Sequence, residues 1–448
     1  MEIHRYVMGA ALCLVAAAAA CSSSNSSSNS SNEEPLTYWQ DVAPLVNTKC
    51  VKCHQEGGIA PFALDTYDAV KTRAASIDAA TQSGIMPPFL MSHDGSCGDV
   101  EHDEALSPDE LTTLHRWALS DKQEGTPVDI PRTQPPSLDH ATEYHSPSFV
   151  PRADPSNPLA SHDEYRCFGF RAGGTATRYI TGYHAIPGNA TIVHHAALYV
   201  VDPNGASYMA GKTNGQVIKA LDDAATDRDG WPCFGAAGDG VRFESSPAVW
   251  VPGQGVVDYP EGFGAPVRPD DLLVLQIHYN LPTSGQSPPA DSTNLRLRYE
   301  DKVDREVLFR SPDPLLDSLF RPQGAPDTLP PGQREYPYSR ELTRADLDFT
   351  DDQPPVEILG IMPHMHELGR KFELRLQQGG KDECIARIDQ WNFHWQRFYW
   401  YKTRPKLTAD TLAKLTCTFD TSGRREPVSP GWGTENEMCL GMLMIAKP

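Results

Sequence analysis

The stretch Ala190-Thr-Ile-Val-His194-His195-Ala-Ala-Leu-Tyr-Val-Val201 decides how most of this chain is read. Its β-branched and apolar residues mark a strand, and two adjacent imidazoles sit inside that strand rather than in a polar loop. Neutral imidazole is the commonest side-chain metal ligand, and a buried one otherwise needs partners for both ring nitrogens. Neighbouring side chains on a regular strand point to opposite faces, so both histidines reach one ion only where the strand is bulged or ends. Further strand-like stretches carry His278, in DLLVLQIHYN (271–280), and His364 with His366, in ILGIMPHMHELGR (358–370). The last two are separated by one residue, which on a strand places both on one face. A single strand histidine is ordinarily a satisfied core residue; this accumulation points to metal instead. Met438, in GTENEMCLGMLMIAKP (433–448), would be core filler by itself. Beside imidazoles, its thioether completes a soft donor set suited to Cu(I). The lack of carboxylate and thiolate donors argues against calcium, magnesium and structural zinc.

Working outward, the 448 residues suffice for two or three domains. With 39 Pro, 34 Gly and only 39% hydrophobic residues, they favour short strands joined by turns over long helical bundles. Turn signals such as PGN, PNG, LPPGQ and GG break the strand-like text up to the C-terminus. The net charge of −20 excludes a protein that grips nucleic acid or an anionic membrane face. No G-x-S-x-G elbow, H-E-x-x-H motif or phosphate-cradling Gly-rich loop is present, and Asp227-Arg228-Asp229-Gly230 lacks the Glu that a calcium loop needs.

Residues 1–20 read as an export signal, with Arg5 before an apolar run from Met8 to Ala20 that is too short to span a bilayer. Cys21 and the Ser/Asn-rich tract behind it (21–34) resemble the lipidation site and tether of a bacterial lipoprotein, ordinary cleavage being the alternative. The expected location is therefore periplasmic or at the cell surface, with membrane contact only through the N-terminal lipid.

Residues 35–122 predict a small all-α haem domain. Trp39, Val42, Leu45 and Val46 recur at helical spacing and lead into Cys50-Val51-Lys52-Cys53-His54. In a C-x-x-C-H motif two thiols can bond the haem vinyl groups while the histidine ligates the iron; a redox dithiol is the alternative. Met86, held between Gly84-Ile85 and Pro87-Pro88, is the expected distal ligand, with Met91 and His93 as alternatives. Ser107 with Glu110 predicts a capped final helix. The whole resembles a class I cytochrome c domain. Residues 123–158, rich in Pro, Ser, Thr and Asp, read as a linker.

Four motifs beyond the linker carry a second resemblance: the His194-His195 pair, Leu275-Gln276-Ile277-His278-Tyr279, His364-Met365-His366-Glu367-Leu368-Gly369, and Glu437-Met438-Cys439. In this order they resemble the copper type II, ascorbate-dependent monooxygenases. The resemblance implies two all-β antiparallel jelly-roll-like sandwiches, here 159–300 and 301–448. It implies an electron-transfer copper on His194, His195 and His278, an oxygen-binding, catalytic copper on His364, His366 and Met438, and a disulfide between Cys417 and Cys439. At the positions where peptidylglycine hydroxylases hold a substrate carboxylate, this chain has Met362, Leu440 and Met442. A substrate pocket built from these suits a small, neutral, apolar molecule.

The fold expectation is thus multidomain, a small all-α cytochrome c domain followed by two all-β sandwiches. The functional one is a monooxygenase using O2, two copper ions and one covalently bound haem c. Its electrons would pass from a one-electron donor (a reduced cytochrome, a quinol-chain component or an ascorbate-like reductant) through the haem to the first copper and then the second. A non-catalytic periplasmic electron-transfer or copper-binding protein is the alternative. Of the remaining cysteines, Cys167 and Cys233 are expected to pair, while Cys97 and Cys384 fall in different predicted domains with no reason to meet. His394, among aromatics, reads as packing rather than a ligand.

Overall fold

Helix capping is where sequence and fold agree most directly. Ser107 accepts from the Glu110 backbone N–H while the Glu110 carboxylate accepts from the Ser107 N–H at 2.7 Å, starting the helix Pro108–Leu119. Thr66 caps Tyr67–Gln82 in the same way with its hydroxyl. A short π-helical turn, Tyr38–Val42, runs into the helix Ala43–Lys49 just before the C-x-x-C-H motif. Val42, Val46, Val70, Ala74, Leu114 and Trp117 bury one another at the centre of this helical part. The computed structural model describes residues 34–448 except 57–59, 102–103, 131–136, 154–162, 235, 252–253, 282–287, 321–323, 351, 394 and 434. The export signal, Cys21 and His394 lie outside the described residues. Among the described residues no helix is long and apolar enough to cross a membrane.

The rest is mostly sheet. Five strands, in the order Trp231–Pro232, Asp163–Arg171, Leu272–Asn280, Val193–Val201 and Ser245–Trp250, form one layer. Tyr336–Thr343, Leu412–Phe419, Gly369–Gln378 and Lys381–Ile388 form another. Both face a ten-stranded sheet, so the two sandwiches share one layer instead of standing apart. The join is a single parallel pairing, Phe263–Val267 beside Arg305–Arg310. Beyond it the antiparallel strands Leu440–Ala446 and Val356–His364 continue the same sheet. Met362, Met442 and Met444 of the C-terminal half therefore sit in the core of the first sandwich. Leu36–Pro448 clusters as one compact unit.

Three sequence readings change here. The linker contains a strand, Ala141–His145, paired with Asn294–Glu300 at the edge of the ten-stranded sheet. An edge strand exposed on most of its residues has no need of the apolar alternation that would have marked it. The β-like region also holds a helix, Asn214–Ala224, opened by a capping box between Thr213 and Gln216. Finally, part of the predicted haem domain packs on the second sandwich: Met91 bridges to Ile388 and Val100 to Tyr401, and Cys97 is disulfide-bonded to Cys384. Met91 and Val100 are the apolar residues of a Gly/Asp/Ser-rich run, and they bury themselves in the nearest apolar core. Cys167–Cys233 and Cys417–Cys439 are bonded as expected.

Candidate functional site

The strand Val193–Val201 shifts register against Leu272–Asn280 between Val193 and His195, which is the irregularity that two adjacent ligands require. It turns His194 to the same side as His195, and His278 joins them from the neighbouring strand. The three Nδ1 atoms stand 3.3 Å from one another. The centre of such a triangle lies about 1.9 Å from each nitrogen, close to the ~2.0 Å of a metal–imidazole bond. These are the residues that would hold a metal through Nδ1. His278 uses its other nitrogen, Nε2–H, to donate to the Asp163 carboxylate at 2.9 Å, and Tyr165 stacks on its ring at 3.9 Å. Burial, then the neighbouring imidazoles, hold the His195 pKa well below the usual histidine value. The His195 imidazole is thus held in the neutral form that can ligate. Asp163 is 4% exposed and fixes the ring orientation. Asp163→Asn is expected to weaken metal retention at this cluster by ~10–100-fold, a range set by comparable outer partners, while His364 and His366 keep theirs. Competition with a chromophoric chelator measures this, and equal metal loss from both sites would contradict it.

His364 and His366 point the other way. Here the Nδ1–H groups are committed to protein acceptors, His364 to Gln396 Oε1 and His366 to the Asn436 carbonyl at 2.9 Å, leaving Nε2 of each for a metal. Their ring centroids are 5.1 Å apart. Burial first, then neighbouring charge, depresses His364 to about 4 and His366 to about 3. The residue before Met438 is tied to the same stretch: the Glu437 carboxylate accepts from the backbone N–H of His366 at 2.9 Å and of Leu368 at 2.7 Å. Burial pushes Glu437 up to about 8 despite these donors. Asp313 anchors the next residue, accepting from the Cys439 N–H at 3.1 Å. Burial raises Asp313 from 3.8 to about 7. A folded pKa above the unfolded one means that the stabilisation is complete below about 3.8 and is lost as pH rises through about 7. The melting temperature of the wild type relative to Asp313→Asn should therefore fall across that interval; a difference that stays flat with pH would refute the assignment.

One phenyl ring separates the two histidine groups. Phe393 stacks on His194 with centroids 4.6 Å apart and meets His366 edge-on at 5.9 Å. Gln396 Nε2–H donates to the Phe393 carbonyl at 2.8 Å, fixing the segment that carries the ring.

A cavity of about 390 Å³ lies between the helical part and both sandwiches, lined by Cys50, Cys53, His54 and Met86 and closed by Val251, Gln254 and residues 395–397. His54 donates Nδ1–H to the Phe62 carbonyl at 3.1 Å, which leaves Nε2 for an iron. Burial pushes the Cys50 thiol up to about 12 and raises Cys53 too, the opposite of the lowered pKa of a redox dithiol. Lys49, Lys52, Arg73 and Arg397 outnumber the one carboxylate of an otherwise largely apolar lining, Glu104, which pairs with Lys52 and Arg397. This chemistry fits a flat apolar group bearing carboxylates and attached through thiols. Met91 and His93 are not in the lining: Met91 is in the second sandwich's core, and His93 lies against Phe89.

With this geometry in place, residues 324–447 match the family described as copper type II ascorbate-dependent monooxygenase, C-terminal domain. The C-terminal sandwich resembles that copper monooxygenase domain. The human DBH-like monooxygenase protein 1 is 28% identical over 207 residues, covering 44% of this chain and 32% of that protein. Dopamine beta-hydroxylase of the dog (Canis lupus familiaris) is 24% identical over 200 residues, 44% of this chain and 31% of its own length. The matched region thus spans about a third of these curated relatives. Among solved structures, particles of cowpea mosaic virus align with a TM-score of 0.23 at 10% identity over 64% of this chain and 78% of that one, too weak a likeness to bear on fold or function.

Within the copper-monooxygenase-like sandwich, the three positions read as a substrate pocket separate. Met362 and Met442 pair across adjacent strands and are buried in the first sandwich's core. Leu440, half-buried and paired with His364, is left as the apolar residue next to the ligands. Met362 and Met442 are core, because the shared sheet turns that face toward the first sandwich. Asp163, Tyr165, Phe393, Gln396 and Glu437 were missed as functional candidates. Only Glu437 had a signal, its place beside Met438; the others become neighbours of the ligands through folding alone.

Proposed function

We propose that this chain is a haem-fed dicopper monooxygenase that hydroxylates a C–H bond of a small, neutral, apolar substrate. The observation that carries the reading is the pair of imidazole sets of opposite nitrogen polarity, Nδ1 inward at His194, His195 and His278 and Nε2 free at His364 and His366, facing across Phe393. The family match at residues 324–447 supports copper as the metal. Bound copper would supply O2 activation at His364, His366 and Met438 and one-electron storage at the other set. The haem on Cys50, Cys53, His54 and Met86 would supply electrons. One C–H bond, O2, two electrons and two protons yield the alcohol and water.

The chain's own residues do the positioning. Asp163 and Tyr165 hold the His278 ring, Glu437 ties Met438 to the His366 loop, and Phe393 fills the space between the sites, keeping water out of it. Leu440 offers an apolar contact beside His364 where a carboxylate clamp would need charge. Burial keeps His195, His364 and His366 neutral at physiological pH. Export and the Cys21 lipid would keep the enzyme at a membrane, within reach of a one-electron protein donor.

Metal and haem analysis of the purified full-length protein, with O2 uptake and incorporation of isotopically labelled oxygen into a panel of small substrates, tests the proposal. Neutral apolar substrates are expected to be hydroxylated in preference to C-terminal glycine peptides. Full copper and haem loading without O2 uptake on any of them would assign the chain to electron transfer alone.

A further inference from the structure

One short stretch, Phe393 with Trp395, Gln396 and Arg397, touches every site described above. Phe393 lies between His194 and His366. Gln396 accepts the Nδ1–H of His364, and Trp395, Gln396 and Arg397 form a wall of the cavity that holds the C-x-x-C-H motif. Glu104 clamps the segment to that motif by accepting from both Lys52 and Arg397. The first histidine set is reached from the same wall by longer paths. One runs from Gln396 through its hydrogen bond to the Phe393 carbonyl and then the ring contact of 4.6 Å on His194. The other runs from the cavity wall at Val251 back to Trp250, across the ladder to Ala196, and only then to His195. Electron transfer slows steeply with the number and length of through-space and through-bond steps. A single hydrogen bond from a wall residue to a ligand therefore outcompetes both of these routes.

Resting on the haem assignment proposed above, we infer that Gln396 is a positioning residue for electron entry, and that electrons leave the haem cavity toward the His364–His366–Met438 site rather than toward the His194–His195–His278 set. This reverses the order expected from the sequence. In each transfer ferrous haem iron is oxidised to ferric and Cu(II) is reduced to Cu(I), with no proton moved. The haem is re-reduced by an external one-electron protein donor. The second electron reaches the His194 set across Phe393, which contacts a ligand ring on each side. Gln396 also holds His364 in the tautomer that leaves Nε2 for metal.

The test uses the full-length protein loaded with haem and copper. The haem is reduced by a flash-generated one-electron donor without O2 or substrate. Decay of the ferrous absorption band and loss of the Cu(II) paramagnetic resonance signal are followed together. His278→Ala, which disables the first set, is expected to leave the decay rate unchanged. Gln396→Leu should slow it by ~10–100-fold, the range seen when an outer partner of a metal ligand is lost, and should alter the Cu(II) hyperfine pattern of the second site. Gln396→Glu retains the acceptor and should restore most of the rate, which a purely structural role would not require. Decay that is lost in His278→Ala but normal in Gln396→Leu would overturn the inference and put entry at the first set. A wild-type protein with no haem band would instead overturn the cofactor assignment itself, so the two failures are separable.

Discussion

On the proposed function, replacing His366 by Ala should yield a folded protein that keeps copper at the first histidine set, loses it at the second, and no longer forms hydroxylated product. The side chain is 4% exposed and donates to the Asn436 carbonyl, so its Nε2 has a fixed direction before any metal arrives. Removing it leaves one imidazole and one thioether, too few donors to hold and tune a copper that must bind O2. Losing an outer partner alone costs ~10–100-fold in affinity or activity, and losing a ligand should cost more than ~100-fold in turnover. The fold should survive, because the Glu437 carboxylate holds the backbone of residues 366 and 368 and does not depend on the imidazole. Copper content, the resonance signal of the first set and product formation are the measurements. A variant that keeps more than a tenth of wild-type turnover would remove His366 from the machinery.

Exchanging both Cys50 and Cys53 for Ala gives the second large effect. Haem should remain with the wild-type polypeptide through acid–acetone extraction and appear as added mass on the denatured chain; the double variant should release all of it. Both thiols line the cavity beside His54, and both are held in the neutral form by burial. Turnover driven by a protein donor should fall by at least about tenfold, since a fixed donor is replaced by diffusive encounter. Turnover with a small diffusible reductant acting directly on the copper should persist. Wild-type protein with no covalently bound haem would sink the assignment, and unchanged turnover with the protein donor in the double variant would show that electrons bypass the cavity.

Local chemistry accounts for what was legible beforehand. The capping box at Ser107, the C-x-x-C-H motif and the spacing of His364 and His366 are properties of a few consecutive residues, and such properties survive translation into structure. The bulge at His194 was legible as a requirement, because adjacent side chains on a strand diverge unless the register slips. The edge strand at Ala141–His145 was not, since a strand exposed on most of its residues carries little of the alternation that reveals one. Nor was the Cys97–Cys384 bond: those residues are 287 positions apart, and no local pattern specifies a partner at that range.

The sequence by itself named candidate donors, the imidazoles, thioether and thiols proposed to bind metal or haem, and determined that the chain is β-rich with a helical start. It also favoured Met86 over Met91 and His93; Met86 lines the cavity and Met91 is buried in another core. Only the tertiary structure decided how the donors are joined. Sharing one ten-stranded sheet forces the sandwiches together, and that contact carries Phe393 between the histidine sets and Gln396 into the cavity wall. Nothing near residues 392–397 in sequence announces this, because His194, His364 and Cys53 become neighbours of that segment through long-range packing of apolar faces, which has no local signature.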